Sequence, residues 1–513
     1  MRGGIMAANH EERLPETQSH EQSAATVDHE GGAQLENRSI PAMTAHLRHR
    51  RMALVILSAL VTLGLCVGYV IGDVSDVLPG PLTVNVAQQP EYEKVAYSIG
   101  AAEIIKNADT TKPVDAQRAQ ALVDELMGAN GLGRDTSVAV AQADGTIVGA
   151  HEPDTVREPA STLKTVTALA AASKLNMGST LATQVFLHQN DSDQRIVLKG
   201  NGDMLLGAGQ SDPNHINGRA GLGTLARQTA VALKSRGISA VTLDYDDSLF
   251  GKDRYPANLD MSGEMQLYYT AVSSMAVDGG RQRAGALANP DVFHDYPQLS
   301  QHPAADAVAT FRTALNAQGI SVKNGNETTE TGTQPIAQVE SAPLSAVMMF
   351  MLRHSDNTLA EEFGRLLALH EHAPNTPDGA RSTVQSVVAS LGVPTDGLIM
   401  ADCSGLSPGS RVSVRTLVTV QARNLQVGGA VAAAEGLAVA GLNGTVTLRL
   451  ADTKAAGLMR LKTGSLGTVT SLTGNISREQ GGVVAFSVVV NNPQDMDAAK
   501  EAVDRFAASL ARL

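Results

Sequence analysis

Lys462-Thr463-Gly464 is the last of three short motifs that each occur once along this chain. Ser161-Thr162-Leu163-Lys164 and Ser355-Asp356-Asn357 precede it, and Ser161/Lys164 is the only Ser-x-x-Lys pair in the 513 residues. Each motif alone is weak, because a Ser-x-x-Lys pair arises by chance about once per few hundred residues and a given tripeptide about once per several thousand. All three in this order indicate one functional site assembled from distant stretches of sequence.

The first motif pairs a nucleophile with a base. Pro159 and Ala160 precede Ser161, and the Ala-rich stretch 163–175 predicts a helix, so Lys164 is expected one turn after Ser161 on the same face. A serine hydroxyl needs a base to remove its proton, and a lysine that shares a site with other cations can serve as that base. The helix N-terminus also favours developing negative charge. Taken alone, the motif is better explained by a helix cap and a solvated lysine.

The second motif supplies a hydroxyl and an amide. Residues 343–352 predict an apolar helix leading to Ser355, and residues 359–369 predict a second helix. A hydroxyl beside a lysine can relay a proton to a leaving amine, and an amide can hold a substrate carbonyl. Ser355 and Asn357 are therefore candidate site residues, although the triplet alone is typical of a loop between helices.

The third motif is suited to binding a carboxylate. It is expected at the end of a strand over 457–462, where Lys462 and Thr463 offer charge and hydrogen bonds and Gly464 allows close backbone approach. Ser465 would offer a second N–H to an oxyanion. A surface turn would explain this triplet if it stood alone. Together the three motifs supply a nucleophile–base pair, a proton relay and a carboxylate anchor, which acyl transfer at a C-terminal peptide bond requires.

Other reactive side chains are assigned structural roles. Cys403 has no histidine near it in sequence and is expected in a turn of small residues. Glu361 and Glu362 are adjacent on a predicted helix, point in different directions, and are expected on a solvated or salt-bridged face. Cys66 lies in an apolar run far from Cys403, so an internal disulfide is not expected. The net charge of −12 disfavours nucleic acid as a partner, because phosphate contacts need clustered Lys and Arg.

A membrane anchor is expected near the N-terminus. Residues 52–72 carry no charge and are long enough to cross a hydrocarbon core. Arg48, Arg50 and Arg51 precede them and Asp73 follows, so the positive-inside rule predicts a cytoplasmic N-terminus, a single pass through the cell membrane, and an extracytoplasmic remainder. A cleaved signal peptide is the alternative, but its apolar region should be shorter, and no Ala-x-Ala cleavage cue follows.

A chain of this length exceeds one ordinary domain. Six segments are expected: a disordered cytoplasmic tail over 1–47, a transmembrane anchor over 48–73, a stalk or linker over 74–112, the N-terminal part of the main domain over 113–181, one or more inserted domains over 182–337, and the C-terminal part of the main domain over 338–513.

Local patterns predict the elements of these segments. A helix is expected from Pro113 to about Met127, and a sheet should form from both chain ends and pack on terminal helices. Strands are expected over 137–141, 147–149, 320–322, 457–462, 469–476 and 483–490, a turn over 464–467, and helices over 91–105, 304–318 and 496–510.

The chain resembles the class C penicillin-binding proteins of the D-alanyl-D-alanine carboxypeptidase/endopeptidase type (penicillin-binding protein 4-like) over roughly residues 115–510, and the motif trio is typical of penicillin-recognising enzymes. Cys403 stands where glycine is more usual. Outside the three motifs, the likeness includes Arg157-Glu158-Pro159-Ala160, Gly200-Asn201-Gly202-Asp203, Ala271-Val272-Ser273-Ser274-Met275-Ala276-Val277-Asp278-Gly279-Gly280, Ser341-Ala342-Pro343-Leu344, Asp402-Cys403-Ser404-Gly405-Leu406-Ser407 and Asn443-Gly444-Thr445-Val446.

The resemblance implies an α+β fold. A penicillin-recognising serine transpeptidase/β-lactamase-like domain, with an antiparallel sheet and helices on both sides, would carry an inserted mixed domain and follow one transmembrane helix. No metal and no cofactor are implied. The implied roles are nucleophile for Ser161, base for Lys164, proton relay and substrate binding for Ser355 with Asn357, and binding of the substrate carboxylate and oxyanion for Lys462, Thr463, Gly464 and Ser465.

The expected function is that of a serine D-Ala-D-Ala carboxypeptidase acting on peptidoglycan stem peptides through an acyl-enzyme on Ser161. DD-endopeptidase action on cross-links is a further expected reaction, and β-lactam antibiotics are expected covalent inhibitors. A serine β-lactamase is the close alternative, disfavoured by the large insertion and the lack of a clear deacylating glutamate. A catalytically idle, membrane-tethered wall-binding protein is the third hypothesis. The sequence leaves open the carboxypeptidase or endopeptidase preference, the third stem-peptide residue, the role of the insertion and the oligomeric state.

Overall fold

The computed structural model of the protein describes residues 43–74 and 112–513, except 191–192, 286, 427–429 and 452. Most of the expected tail, and the expected stalk with its helix over 91–105, lie outside these residues. The helices, in chain order, are α1 (Met43–Val74), α2 (Ala116–Met127), α3 (Lys164–Lys174), α4 (Leu222–Lys234), α5 (Pro303–Ala317), α6 (Leu344–His354), α7 (Asn357–His370), α8 (Pro377–Ser390), α9 (Val414–Asn424), α10 (Val431–Gly436) and α11 (Met496–Leu510).

The strands form sheets of six, five, two and two members in the described part of the chain. Their bounds are β1 (Asp135–Gln142), β2 (Ile147–His151), β3 (Val156–Arg157), β4 (Ala182–Asn190), β5 (Asp193–Gly200), β6 (Asp203–Leu206), β7 (Ala240–Asp246), β8 (Met275–Val277), β9 (Ser321–Glu327), β10 (Pro335–Glu340), β11 (Val412–Ser413), β12 (Ala438–Val439), β13 (Met459–Leu466), β14 (Val469–Ser477) and β15 (Val483–Asn491).

Helix α1 is the element that suits a membrane. Its segment Met52–Ile71 is long and apolar enough to cross a bilayer, and its apolar side chains are exposed. The helix begins at Met43, ahead of the expected anchor, so residues 43–47 are helical where a disordered tail was expected. Helix α1 belongs to one compact unit of the chain, and the residues from 112 onward belong to another.

The six-stranded sheet carries the site and joins both ends of the second unit. Its strands run in the order β12-β13-β14-β15-β1-β2, and every neighbouring pair is antiparallel. Side chains alternate across a strand, so Val138 and Val140 enter the apolar cluster formed with α2 and α11, while Ala139 and Ala141 enter the cluster formed with α3 and α6 to α9. Helices therefore cover both faces of a sheet built from both ends of this unit, as expected.

Helix α2 starts later than predicted. Pro113 was expected at its first position, but the helix begins at Ala116 because Asp115 caps it. The Asp115 carboxylate accepts hydrogen bonds from the backbone N–H groups of Gln117 at 2.9 Å and Arg118 at 3.2 Å. An aspartate cap satisfies N–H groups that the helix itself leaves unpaired, so it decides where the helix starts.

The central part of the chain builds a second sheet with its own core. Strands β10-β4-β5-β7-β9 lie in that order, with antiparallel pairing at one end and parallel pairing between β5, β7 and β9. Helices α4 and α5 bury their apolar faces against these strands. The expected helix over 304–318 corresponds to α5, and the boundaries of the expected inserted domain stay a prediction.

The third motif lies within a strand rather than at its end. Strand β13 continues to Leu466, and Ser465 pairs with Thr470 on β14. The expected turn over 464–467 is therefore wrong in its first residues, because continuous pairing with β14 keeps the chain extended through Gly464.

Candidate active site

The nucleophile candidate lies on a tight turn that enters α3. Residues Ala160–Leu163 form a short 3-10 turn, and α3 begins at Lys164. Ala160 has a φ of +49°, a left-handed conformation that is costly for a residue with a Cβ. Ser161 is partly exposed, whereas Lys164 is fully buried. Lys164 Nζ lies 2.9 Å from Ser161 Oγ, so the amine and the hydroxyl are within proton-transfer distance.

Lys164 links the first motif to the second and to the loop that contains Ser404. Its Nζ also donates to Asn357 Oδ1 at 2.6 Å and to the backbone carbonyl oxygen of Ser404 at 3.0 Å. Burial lowers the pKa of Lys164 to about 7, against the opposing effect of the negative charges of Asp402 and Asp356. A neutral amine has two hydrogens for Asn357 and Ser404, which leaves its lone pair for the Ser161 hydroxyl.

A second buried lysine stands on the opposite wall. Lys462 Nζ donates to Ser355 Oγ at 2.9 Å and to the carbonyl oxygen of Thr463 at 2.8 Å. Burial, followed by the nearby Lys164 charge, lowers the pKa of Lys462 well below its usual range. The positive charge of Lys164 therefore lowers the pKa of Lys462, because the two buried amines share one site with no water to screen them.

The second motif lies between α6 and α7, where a left-handed backbone at Ser355 and the contacts of Asp356 fix its conformation. Ser355 ends α6 in the left-handed conformation, with a φ of +57°. Asp356 caps α7 by accepting the Leu359 N–H at 2.9 Å, and it forms an ion pair with Arg281 Nη2 at 2.5 Å. The side chain of Asn357 points to Lys164 at one end and donates to the Tyr268 carbonyl oxygen at the other. Asp356, for which sequence analysis predicted no role, thus fixes the start of α7 and ties the second motif to Arg281.

Strand β13 presents an open edge beside the nucleophile. Strand β12 pairs only with Arg460 and Leu461, so from Lys462 onward this edge of β13 has no strand partner among the residues that the structure describes. Thr463 Oγ1 lies 2.8 Å from Thr445 Oγ1, and Ser465 is exposed further along the strand. An unpaired strand edge can bind an extended peptide through backbone hydrogen bonds.

The structure thus brings together seven of the eight candidate residues of the three motifs. Hydrogen bonds connect Ser161, Lys164 and Asn357, and others connect Ser355, Lys462 and Thr463. Gly464 lies against the turn before Ser161. Ser465 shares their strand but is exposed.

A family of serine peptidases, S13, matches most of the chain from residue 119 onward. The profile of the D-Ala-D-Ala carboxypeptidase 3 (S13) family matches residues 119–291 and 284–513. The chain belongs to this family. It is a serine-type D-Ala-D-Ala carboxypeptidase, and the expected resemblance to penicillin-binding protein 4-like carboxypeptidases is confirmed.

Named relatives and solved structures agree with the family. Carboxypeptidase DacB of Mycolicibacterium smegmatis is 31% identical over 367 residues, which cover 69% of this chain and 75% of that protein. The D-alanyl-D-alanine carboxypeptidase of Actinomadura sp. (strain R39) is 31% identical over 199 residues, 37% of each chain. The crystal structure of penicillin binding protein 4 (dacB) from Haemophilus influenzae superposes with a TM-score of 0.61 at 19% identity, covering 78% of this chain and all of that one. This likeness confirms the α+β fold class.

The loop after α8 holds Lys164 through the Ser404 carbonyl oxygen, a role that the sequence did not predict. The buried carboxylate of Asp402 accepts the backbone N–H groups of Ser404 at 2.9 Å, Gly405 at 2.6 Å and Ser407 at 2.8 Å. This arrangement aims the Ser404 carbonyl at Lys164. The block from Asp402 to Ser407 was recognised as family-like, and it was the available signal for this role.

Glu361 and Glu362 correct the expectation of a solvated face. Both are buried, because α7 is enclosed on all sides from Thr358 to Arg365. Glu361 Oε2 accepts the Cys403 N–H at 3.0 Å, so it braces the loop that holds Lys164. Burial raises the pKa of Glu361 to about 7 and that of Glu362 well above its usual range. Glu361 and Glu362 do point in different directions, as adjacent residues on a helix must, but other parts of the protein bury α7 on both of these sides.

Replacing Gly464 with alanine is expected to slow acylation of the carboxypeptidase by about 10- to 100-fold. A Cβ at Gly464 would lie 2.2 Å from Ser471 Oγ and 2.8 Å from the Pro159 carbonyl oxygen, so β13 must move away from the turn before Ser161. Overpacking costs about 1–3 kcal/mol, and displacement of a reacting group by about 1 Å can lower a rate about 100-fold. The rate of penicillin acylation measures the effect.

The matched control is Gly467→Ala in the turn that follows. A Cβ there would meet nothing within 4 Å, and acylation should stay at the wild-type rate. Equal losses in Gly464→Ala and Gly467→Ala would contradict the role of close packing at Gly464.

Proposed function

We propose that Ser161 is the acylated nucleophile of this carboxypeptidase and that Lys164 is its general base. The observation that carries the proposal is the 2.9 Å contact between Lys164 Nζ and Ser161 Oγ, together with the full burial of Lys164, which lowers its pKa to about 7. The neutral amine takes the Ser161 proton as Oγ attacks the carbonyl carbon of the penultimate D-Ala. The resulting oxyanion is held by the backbone N–H groups of Ser161 and Ser465.

The leaving amine receives its proton from the Ser355 side of the site. When the peptide C–N bond breaks, the nitrogen of the terminal D-Ala takes, through Ser355 Oγ, the proton that Lys164 had removed from Ser161, so Lys164 is neutral again. Lys462 Nζ holds Ser355 Oγ for this relay at 2.9 Å. Asn357 Nδ2 holds the acyl part of the substrate. Water then attacks the ester on Ser161 with Lys164 again as base, which releases the shortened peptide with a free carboxylate and restores the hydroxyl.

The substrate carboxylate is assigned to Lys462 and Thr463. Both residues lie on β13 where its edge has no strand partner among the described residues, and Thr463 is positioned by its 2.8 Å contact with Thr445. A carboxylate is matched by a cation with hydroxyl donors beside it, and a peptide can extend along the free strand edge. The proposed substrates are peptidoglycan stem peptides ending in D-Ala-D-Ala, and β-lactams acylate Ser161 by the same attack.

Helix α1 is proposed to anchor the enzyme in the cell membrane. The arginines before Met52 favour a cytoplasmic N-terminus, with the catalytic unit on the extracytoplasmic side where peptidoglycan is found. This topology agrees with a substrate outside the cell.

Labelling with a fluorescent penicillin tests the proposed function. The full-length enzyme in detergent is expected to bind the label covalently at Ser161, identified by mapping the modified peptide, and to release D-Ala from a D-Ala-D-Ala pentapeptide. The penicilloyl enzyme should persist for long times, because no glutamate is hydrogen-bonded to Ser161 among the described residues, whereas class A β-lactamases use a glutamate for deacylation.

Two other outcomes would favour other functions. Rapid release of hydrolysed penicillin would indicate a β-lactamase that uses the same motifs. Absence of any covalent label would indicate a catalytically idle wall-binding protein.

A further inference from the structure

A cavity of about 400 Å³ opens beside the catalytic residues. Ser355 and Asn357 line one side of it, and Gly444 and Thr445 line another. We call it the side cavity. Binding sites for small molecules typically measure about 300–1,000 Å³, so the side cavity has room for a ligand larger than one amino acid.

The side cavity lies at the end of the site that holds the leaving group. Thr445 Oγ1 contacts Thr463 Oγ1 at 2.8 Å, and Ser355 Oγ accepts a hydrogen bond from Lys462. In the proposed function Lys462 and Thr463 bind the carboxylate of the leaving group, and Ser355 relays a proton to its amine. The side cavity is lined by Ser355 and by Thr445, so it is the space beside the leaving group into which a longer leaving group can extend.

Arg353 is the unusual residue of the cavity wall. It precedes the second motif on α6, and Gly444 lies against its backbone, with the site for a Cβ only 2.9 Å from the Arg353 carbonyl oxygen. Arg353 Nε is buried without a hydrogen-bond partner, and no residue in the described part of the chain forms an ion pair with this guanidinium. Burial and the neighbouring Arg460 both lower the pKa of Arg353. The Arg353 side chain is partly buried and an arginine stays charged in proteins, so within the described residues this guanidinium has no acidic partner.

The acidic side chains around the cavity are already engaged. None of them is left to neutralise Arg353 within the described residues, so its counter-ion must be supplied by a ligand or by solvent. The existing contacts are Asp291 with His215 at 3.1 Å, Asp295 with Arg283 at 2.6 Å and Asp356 with Arg281 at 2.5 Å.

The mouth of the cavity is apolar and exposed. The rings of Tyr268 and Tyr296 lie 5.7 Å apart in a tilted pair, and Leu442 is 66% exposed on the facing loop. Exposed apolar side chains grouped around a cavity are typical of a binding surface. Their chemistry suits the aliphatic parts of a peptide, while Arg353 suits a carboxylate.

We propose that the side cavity is a subsite for a peptide leaving group and that Arg353 binds a second carboxylate on it. The occupant is the acceptor stem peptide of a cross-linked peptidoglycan dimer, which carries more than one carboxylate, so Arg353 favours hydrolysis of cross-links over release of free D-Ala. This inference rests on the proposed function, because the cavity lies behind the leaving group only if Lys462 and Thr463 hold its first carboxylate.

Arg353→Met is expected to change the choice of substrate. For the full-length enzyme in detergent, the ratio of kcat/KM on a cross-linked tetrapeptide dimer to kcat/KM on a pentapeptide monomer should fall about 10- to 100-fold, the value of a hydrogen bond to a charged group. Arg353→Lys should restore part of the ratio, because it keeps the charge. Arg505→Met, a change at an exposed arginine of α11, should leave the ratio at the wild-type value.

Amidation of the substrate provides the reciprocal test. A dimer whose additional leaving-peptide carboxylates are amidated should lower the ratio for the wild-type enzyme and cause no further loss in Arg353→Met. The inference is overturned if wild type cleaves both dimers equally, if it cleaves neither while releasing D-Ala, or if Arg353→Met leaves the ratio unchanged. The rate of penicillin labelling, compared with that of the wild-type enzyme, shows whether each variant is folded.

Failure of the proposed function would look different. It would appear as absence of the Ser161 label and of D-Ala release in the wild-type enzyme, and it would overturn both proposals. Failure of the Arg353 inference alone leaves the label and D-Ala release intact while the substrate ratio does not respond.

Discussion

Replacing Ser161 with alanine is expected to abolish penicillin labelling and to reduce D-Ala release by on the order of 10⁴- to 10⁶-fold. No other hydroxyl is hydrogen-bonded to Lys164 among the described contacts, so the base has no substitute nucleophile. The remaining activity should come from the oxyanion site and from substrate binding. Covalent labelling and a D-Ala release assay measure the loss.

The fold should survive this change. Ser161 is partly exposed, and its replacement removes one hydrogen bond from Lys164, worth about 1 kcal/mol of unfolding free energy. Ser173→Ala on α3, where the hydroxyl bonds only to the carbonyl oxygen of Ala170 in the same helix, is the matched control and should keep full labelling. Labelling of Ser161→Ala at the wild-type rate would show that another residue is the nucleophile.

Replacing Lys164 with methionine is expected to slow acylation about 10²- to 10⁴-fold, the usual contribution of a general base. Methionine fills a similar buried volume but cannot accept the Ser161 proton, and it leaves the acceptors on Asn357 and Ser404 without their donor. Lys174→Met, the same substitution at the exposed end of α3, is the control and should acylate normally.

The pH dependence of acylation separates the base role from a structural one. Burial lowers the pKa of Lys164 to about 7, so below pH 7 the amine is protonated and cannot take a proton. The wild-type rate of penicillin acylation should rise with pH and level off above about 7, and the residual rate of Lys164→Met should lack this inflection. A wild-type rate that falls between pH 6 and 8 would contradict the base role.

Much of the local structure was predictable because it depends on short-range pattern. The strands over 469–476 and 483–490 and the helix over 496–510 were placed within a residue or two, since alternation and amphipathic spacing are properties of contiguous residues. The predicted bounds are wrong where a cap or a pairing with another strand overrides the local sequence pattern. Asp115 moved the start of α2 by capping it, and pairing with β14 extended β13 through the third motif.

The sequence predicted which side chains lie in the site, but not the residues that hold those side chains in place. The sequence predicted that Ser161, Lys164, Asn357 and Lys462 belong to one site because the three motifs in this order are typical of this chemistry. The structure places these residues together, and their catalytic roles stay a prediction. The roles of Asp356 and Asp402 were not predicted, because a capping or loop-bracing aspartate has no distinctive spacing. Glu361 was predicted on a solvated face but is buried, since the burial of a helix depends on which elements pack around it.

By itself the sequence determined the family, the reactive groups and the apolar segment suited to a membrane, because these follow from residue identity and order. Only the tertiary structure decided the electrostatics. Lys164 and Lys462 lose access to water when α3, α7 and β13 close around them, and this burial lowers the pKa of both ammonium groups, that of Lys164 to about 7. The unpaired Nε of Arg353 is likewise a property of the assembled cavity, since the lack of an acidic partner among the described residues depends on every element that lines the cavity.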